Sequence, residues 1–142
     1  MEVSQVRKRL QQAIGVARER SQGRRQRTAD AQRAYEAFLQ DIAVPIARQV
    51  ANALKVDGYA FSVFTPGEGL RLADDRSRDD FIELALDTTG DVPQVVGRIS
   101  HTRGSRTLFE EIPVRPNVPP DALTEDEMLE FFARSLERWF ER

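Results

Sequence analysis

The spacing of apolar residues changes at Asp57-Gly58 from a helical repeat to simple alternation, and this change constrains the fold more than any other feature. Before Asp57-Gly58, apolar residues recur every three or four positions, and over residues 59–114 they alternate with polar ones. The first spacing is typical of an amphipathic helix and the second of a strand with one buried face. The sequence therefore predicts an α+β fold in which helices precede a sheet.

The alternating part divides into short segments separated by turns. "PGEG" and "GDVP" break the alternation, and "HTRGS" forms the tip between the last two segments, so we place His101 in a turn. Short connections favour antiparallel neighbours. We predict an antiparallel meander of four or five strands over residues 59–114, built from "YAFSVF", "LRLA", "FIELALDTT", "QVVGRIS" and "RTLFEEIPV".

A long helix is predicted over residues 29–55. Thr28 is a good N-cap residue, and Asp30 is favourable in a first turn. Pro45 should kink or restart this helix, because proline lacks an N–H and its ring clashes with the preceding turn. The apolar face of the helix comprises Ala31, Tyr35, Phe38, Ile42, Ile46, Val50, Ala53 and Leu54.

A C-terminal helix is predicted over residues 125–141, within a single α+β domain that spans residues 28–142. "TEDE" has the form of a capping box, with Thr124 as the N-cap. We expect the two helices to cover one face of the sheet. Trp139 and Phe140 are adjacent and cannot point the same way, so one packs on the sheet, and we assign Trp139 as a candidate interface anchor. The opposite sheet face should carry the polar residues Ser62, Arg71, Glu83, Asp87, Arg98 and Ser100.

Residues 1–27 are predicted to form a basic, amphipathic helical arm. Apolar residues recur there at alternating spacings of three and four, and Ile14 lies beside this series. Such spacing is that of an a/d stripe, here about two heptads long. A lone helix of that length is marginal in water, so the arm should pack against a partner. The candidate interaction residues are Val3, Val6, Leu10, Ala13, Ile14 and Ala17.

The stripe ends at a basic stretch, "RERSQGRRQRT", which predicts either phosphate contacts or a solvated break between two helices. Residues 1–33 contain nine Lys or Arg against three acidic residues, whereas the remainder contains twelve against twenty. Such asymmetry favours a contact of the basic end with nucleic acid, with a membrane or with an acidic partner. However, no base-stacking aromatic residue precedes Tyr35. The candidate phosphate contacts are Arg18, Arg20, Arg24, Arg25 and Arg27, with Arg103 and Arg106 at the hairpin tip.

Composition excludes several chemistries. There is no cysteine and a single histidine, which rules out thiolate sites and histidine-rich zinc sites. The aspartate-rich "DDRSRDD" lacks the glycine and the terminal glutamate of an EF-hand loop, and we interpret it as a solvated connection. We predict no catalytic, cofactor or metal site. No apolar run reaches the length of a membrane span, and with no leader segment we expect a cytoplasmic protein that does not bind membranes.

Two hypotheses of function follow. The first is a non-enzymatic interaction protein or assembly subunit that uses the N-terminal helix to self-associate or to dock in a larger complex. The alternative is a nucleic-acid-associated protein that binds the phosphate backbone through the arginine-rich arm. A small-molecule pocket lined by Tyr35, Phe38, Phe61 and Phe81 is a third reading, although these residues serve equally well as core.

Overall fold

A computed structural model describes residues 1–67 and 69–141. The chain is a mixed α+β protein with a long N-terminal helix, a five-stranded antiparallel sheet and a C-terminal helix, which confirms the predicted fold class. The helices are α1 (Val3–Phe38), α2 (Val44–Val56) and α3 (Glu125–Phe140), with a π-helical turn at Leu39–Ala43 and a 3-10 turn at Pro120–Ala122. The strands are β1 (Phe61–Phe64), β2 (Leu70–Asp74), β3 (Phe81–Asp87), β4 (Gln94–Arg103) and β5 (Arg106–Pro113).

The N-terminal helix does not break at the basic stretch, so the predicted helix start after Thr28 is wrong. α1 runs from Val3 to Phe38 without interruption. Arginine and glutamine have high helix propensity, and the one glycine in this stretch, Gly23, costs only about 1 kcal/mol. A side-chain pair also spans the supposed boundary, because Asp30 accepts a hydrogen bond from Gln26.

The predicted disturbance near Pro45 takes the form of a π-helical turn. Over Leu39–Ala43 the backbone widens by one residue, and the Val44 N–H donates to the carbonyl of Leu39. Proline supplies no N–H and its ring pushes against the preceding carbonyl, so the wider turn accommodates Pro45 without ending the helix. The helical rod therefore continues into α2 and ends at Asp57 and Gly58, where Gly58 has a φ of 88°.

The five strands form a simple meander in the order β1-β2-β3-β4-β5, every neighbouring pair being antiparallel. β4 is longer than predicted, because it extends to Arg103 and pairs there with Arg106. Only Gly104 and Ser105 remain in the turn, and Gly104 has a φ of 62°, a backbone conformation that favours glycine. The expectation of a turn histidine is therefore wrong, since His101 lies within β4.

The core lies between the helices and one face of the sheet. Leu72, Ile82 and Leu84 of the central strands are fully buried, as are Met128 and Phe132 of α3. The side chains on the opposite face form a row of alternating charge across four strands, paired in register as Arg71, Glu83, Arg98 and Glu111. The predicted polar face is therefore present, and two ion pairs, Arg71–Glu83 at 3.0 Å and Arg98–Glu111 at 3.4 Å, neutralise it.

Candidate interaction surface

No side chain in the first thirty residues is buried against the part of the chain that the structure describes. Along α1 the first buried side chain is Ala31, followed by Tyr35 and Phe38. Every residue before Ala31 is exposed except Ser21 and Gly23, which are half-buried. At 1.5 Å per residue, residues 3–30 form an arm about 42 Å long. We call this segment the arm, and the remainder of the protein the head.

One side of the arm is apolar. Val6 is 41% exposed, Leu10 57% and Ile14 51%. At 100° per residue the predicted interaction residues fall within a stripe about 100° wide, which is the width of a buried face in a surface helix. The structure therefore brings these residues together on one side of a straight helix and leaves them uncovered. This stripe, which we call the seam, consists of Val3, Val6, Leu10, Ala13, Ile14 and Ala17.

The seam and the core-facing side of α1 point in nearly the same direction. Because the helix is uninterrupted, its phase carries from the arm into the head. Counting 100° per residue places Ala31 and Tyr35 within the angular range of the seam and Phe38 just beside it. A partner lying on the seam would therefore occupy the side of the helix on which the head sits.

Tyr35 anchors the base of the arm in the head. Its side chain is 3% exposed, and its hydroxyl has no hydrogen-bond partner among the residues that the structure describes. The pKa of Tyr35 is raised to about 12, mainly by burial and in smaller part by the negative charge of Glu83, while Arg98 opposes the shift. The hydroxyl therefore stays protonated, and the ring serves as an apolar anchor.

The five arginines of the basic stretch are all exposed, and none forms an ion pair within the described part of the chain. Arg20, Arg24 and Arg27 continue the line of the seam, whereas Arg18 and Arg25 lie on its other flank. All five fall on about half of the helix circumference, with Glu19 and Gln22 on the opposite half. The structure thus gathers these predicted phosphate contacts on one side of the arm.

Arg103 and Arg106 do not belong to the same surface. They close the β4–β5 hairpin, and Arg103 donates to the carbonyl of Glu141 just after α3. The arm instead leaves the head beside the 3-10 turn that precedes α3. The two groups of arginines therefore lie near opposite ends of α3, a helix of 16 residues that is about 24 Å long.

The predicted role of Trp139 as an interface anchor is corrected by its position. Its side chain is 3% exposed and packs edge-on against Phe61, with ring centroids 5.9 Å apart. Of the two adjacent aromatic residues, Phe140 is the exposed one, at 39%, and its ring lies 4.5 Å from that of Tyr59. Trp139 therefore contributes to the core and has almost no surface to offer a partner.

Sequence reasoning missed a polar contact beneath the β4–β5 hairpin. Asp80 is buried at the end of the loop that we expected to be solvated, and it accepts a hydrogen bond of 2.7 Å from the Thr102 N–H. His101 Nδ1 lies 3.8 Å from Asp80 Oδ2, and the histidine ring lies 4.7 Å from that of Trp139. The signal that could have found the contact is strand register, because Phe81 pairs with Ser100 and so places Asp80 beside His101.

The head also has a surface groove of about 720 Å³ between β5 and α3. Its charged side chains mostly pair with one another, as Arg115 does with Glu127 and Arg134 with Glu130. Pairing to Arg115 is the main reason that the pKa of Glu127 is lowered, with hydrogen bonds from Thr124 adding to the shift. These pairs leave few free polar groups with which to orient a small ligand.

The described residues contain no group of three or more His, Asp or Glu side chains arranged to hold a metal ion. No helix in residues 1–67 and 69–141 is both long and apolar enough to cross a membrane. Comparison of the chain with protein-family models, with characterised proteins and with solved structures finds no match.

Proposed function

We propose that this protein is a non-enzymatic assembly subunit that associates with another protein through its helical arm. A single observation carries the proposal: an uninterrupted helix projects about 28 residues from the head, and the apolar seam along it is exposed among the residues that the structure describes. Isolated helices gain little stability from propensity, and most helical stability in proteins comes from packing an amphipathic face. An arm of this kind is stable when a partner covers its seam.

The size of the apolar side chains supports this proposal. Burying a valine, leucine or isoleucine completely contributes about 1.5–3 kcal/mol. Val3, Val6, Leu10 and Ile14 together can therefore offset the entropic cost of docking a short helix. His101, the single histidine of the chain, is half-buried and packs against Trp139, and we interpret it as a structural residue of the head.

Light scattering on the purified chain tests the proposal in its simplest form, self-association. We expect the wild type to be larger than a monomer at tens of micromolar and Val6→Asp plus Leu10→Asp to be monomeric, because a buried unpaired carboxylate is costly. Ser4→Asp plus Gln12→Asp is the matched control, since it adds the same charge to the polar side of the arm. Wild-type protein that stays monomeric, or a control as monomeric as the seam variant, would count against the proposal.

A second proposal, nucleic-acid binding, is favoured by one observation: Arg18, Arg20, Arg24, Arg25 and Arg27 project from one half of the arm without ion pairs among the described residues. Arginine suits bidentate phosphate contacts, and such binding weakens steeply with salt. Replacing Arg24, Arg25 and Arg27 with alanine should reduce affinity for duplex and single-stranded DNA and flatten the salt dependence. Unchanged affinity in fluorescence anisotropy would dismiss this second proposal.

A further inference from the structure

We infer that the partner of the arm is a second copy of this chain, and that the two arms pack antiparallel, with their midpoint between Gln11 and Gln12. The inference rests on the proposed association through the arm and names its partner and geometry. Two properties of the seam carry it: the order of large and small residues along it, and the charges that continue its line towards the head.

A parallel pair of arms would bring like charges together. In a parallel, in-register pair each residue of the seam meets its own copy. Arg20, Arg24 and Arg27 continue the line of the seam, so three successive layers would oppose one arginine to another. Uncompensated like charges at such positions are destabilising. The same arrangement would also pair Ala13 with Ala13 and Ala17 with Ala17, and leave those layers poorly filled.

An antiparallel pair centred between Gln11 and Gln12 avoids both problems. The residue numbers of two facing positions then add up to 23. Leu10 therefore faces Ala13 of the second copy, and Val6 faces its Ala17. Large side chains oppose small ones in four consecutive layers, which is how packed interiors fill space. Val3 closes each end of this paired segment, opposite Arg20 of the other copy.

The charges at the ends of the pair are complementary. Glu2 lies within one position of Arg20 of the second copy, so a carboxylate is placed beside the first arginine of the basic stretch. Arg24 and Arg27 lie beyond the paired segment, where they remain solvated. Arg7 and Arg9 lie on opposite flanks of the seam, at the two edges of the paired surface, where their aliphatic stems can cover apolar side chains while the guanidinium groups stay in water.

This geometry holds the two heads far apart. A residue and its copy in the second chain lie on opposite sides of the midpoint. Since the helix rises 1.5 Å per residue in each chain, they are separated along the axis by about 3 Å for every position between the residue and the midpoint. Ala31, where the head begins, is therefore about 60 Å from Ala31 of the second copy. The dimer would be an extended molecule with a head at each end and the two basic stretches between the heads.

Cysteine cross-linking tests the orientation, since the chain contains no cysteine of its own. Val6→Cys and Ala17→Cys variants are mixed, oxidised and analysed by mass. We expect a Val6→Cys chain joined to an Ala17→Cys chain, and little product from either variant alone. Gln12→Cys, on the polar side of the arm, replaces Ala17→Cys in the control mixture and should give no mixed product.

A distance measurement gives an independent readout. A spin label on Gln22→Cys should report about 32 Å between copies in the antiparallel pair and about 20 Å or less in a parallel pair. Val6→Cys homodimers with the short distance, or a dimer that gives neither cross-link, would overturn the antiparallel inference while leaving association through the arm intact. A monomer by light scattering would overturn the inference that the partner is a second copy, while leaving the proposed docking of the arm onto a different protein.

Discussion

At the scale of single residues, Gly97 determines how closely α3 approaches the sheet. A Cβ atom at this position would lie 2.1 Å from Cζ of Phe131, which is too close for two non-bonded carbon atoms. The ring of Phe131 therefore occupies the space that a side chain on β4 would fill. Its neighbour Phe132 is fully buried, and the two adjacent rings together attach α3 to the head.

Replacing Gly97 with alanine should destabilise the head by about 1–3 kcal/mol, the usual cost of overpacking a filled core. Urea denaturation followed by tryptophan fluorescence measures this directly, because Trp139 is the only tryptophan and lies in the core. Gly15→Ala in the arm is the control, since nothing lies within 4 Å of a Cβ there. An unchanged midpoint for Gly97→Ala would show that α3 does not rest on β4 as described.

The buried hydroxyl of Tyr35 should make the head less stable at alkaline pH. Burial raises the pKa of Tyr35 from 10.0 to about 12, so below pH 10 the tyrosine is protonated in both the folded and the unfolded state. Between these two values only the unfolded state loses the proton, and the free energy of unfolding falls by on the order of 2–3 kcal/mol. Stability is therefore present below pH 10 and lost as pH rises towards 12.

Unfolding in urea at pH values from 9 to 11.5 checks this behaviour. Tyr35→Phe should flatten the alkaline decline, and it should be at least as stable as the wild type at pH 8, because it removes a buried hydroxyl that has no partner among the described residues. Tyr59→Phe is the matched control, since Tyr59 is 42% exposed and its replacement should leave the decline in place. A decline that survives in Tyr35→Phe would contradict the assignment.

At the scale of elements, the two threonines that resemble N-caps behave differently. Thr124 precedes α3 and accepts a hydrogen bond of 3.2 Å from the Glu127 N–H, while the Glu127 side chain accepts one from the Thr124 N–H. Thr28 has the same local appearance in the sequence but lies in the middle of α1. A capping residue is recognised by what precedes it, and the residues before Thr28 are strong helix formers.

Thr124→Ala should therefore lower the stability of the head by about 1 kcal/mol, the typical cost of losing an N-cap. Thr28→Ala removes no cap and places a better helix former in an exposed helical position, so the urea midpoint of the head should not change and the helical circular-dichroism signal should be equal or greater. A loss of stability on Thr28→Ala comparable to that of Thr124→Ala would support two separate helices instead of one.

The sheet was more predictable from the sequence than the helical rod. A glycine or proline turn marks at least one end of each strand, burial alternates clearly along β2 and β3, and all five strands were placed within a few residues. The continuity of α1 was missed because a basic stretch with Gly23 and Thr28 resembles a boundary, although no residue in it prevents a helix. The contact between Asp80 and His101 was missed because it depends on strand register, which hydrophobic spacing does not specify beyond which face is buried.

The seam itself was visible in the sequence, but its relation to the head was not. Reading residues 1–27 as a separate arm gave no reason to connect the direction of the seam with that of the core. Once α1 is one straight helix, Leu10 and Tyr35 lie on the same side of it. The arginines between them then separate two apolar segments on the same side of one helix. The head covers the segment around Tyr35, and the segment around Leu10 is open to a partner.

At the scale of the whole molecule, stability and association should be separable properties. The core cluster draws on residues from Tyr35 onwards along the chain, and nothing in the arm contributes to it. A chain that begins at Thr28 should fold with a urea midpoint close to that of the full protein, because the removed residues bury no side chain. The same chain should be monomeric by light scattering at concentrations where the full protein associates.

Small-angle X-ray scattering on both chains completes this prediction. The full protein should give an extended profile with two separated masses whose near ends lie about 60 Å apart, as expected from the length of the paired arms, whereas the shortened chain should give the compact profile of a single head. The seam variant Val6→Asp plus Leu10→Asp is the intermediate case, because it keeps the arm but should lose the second head. If the shortened chain still associated, the contact between copies would lie on the head, and the open seam would need another explanation.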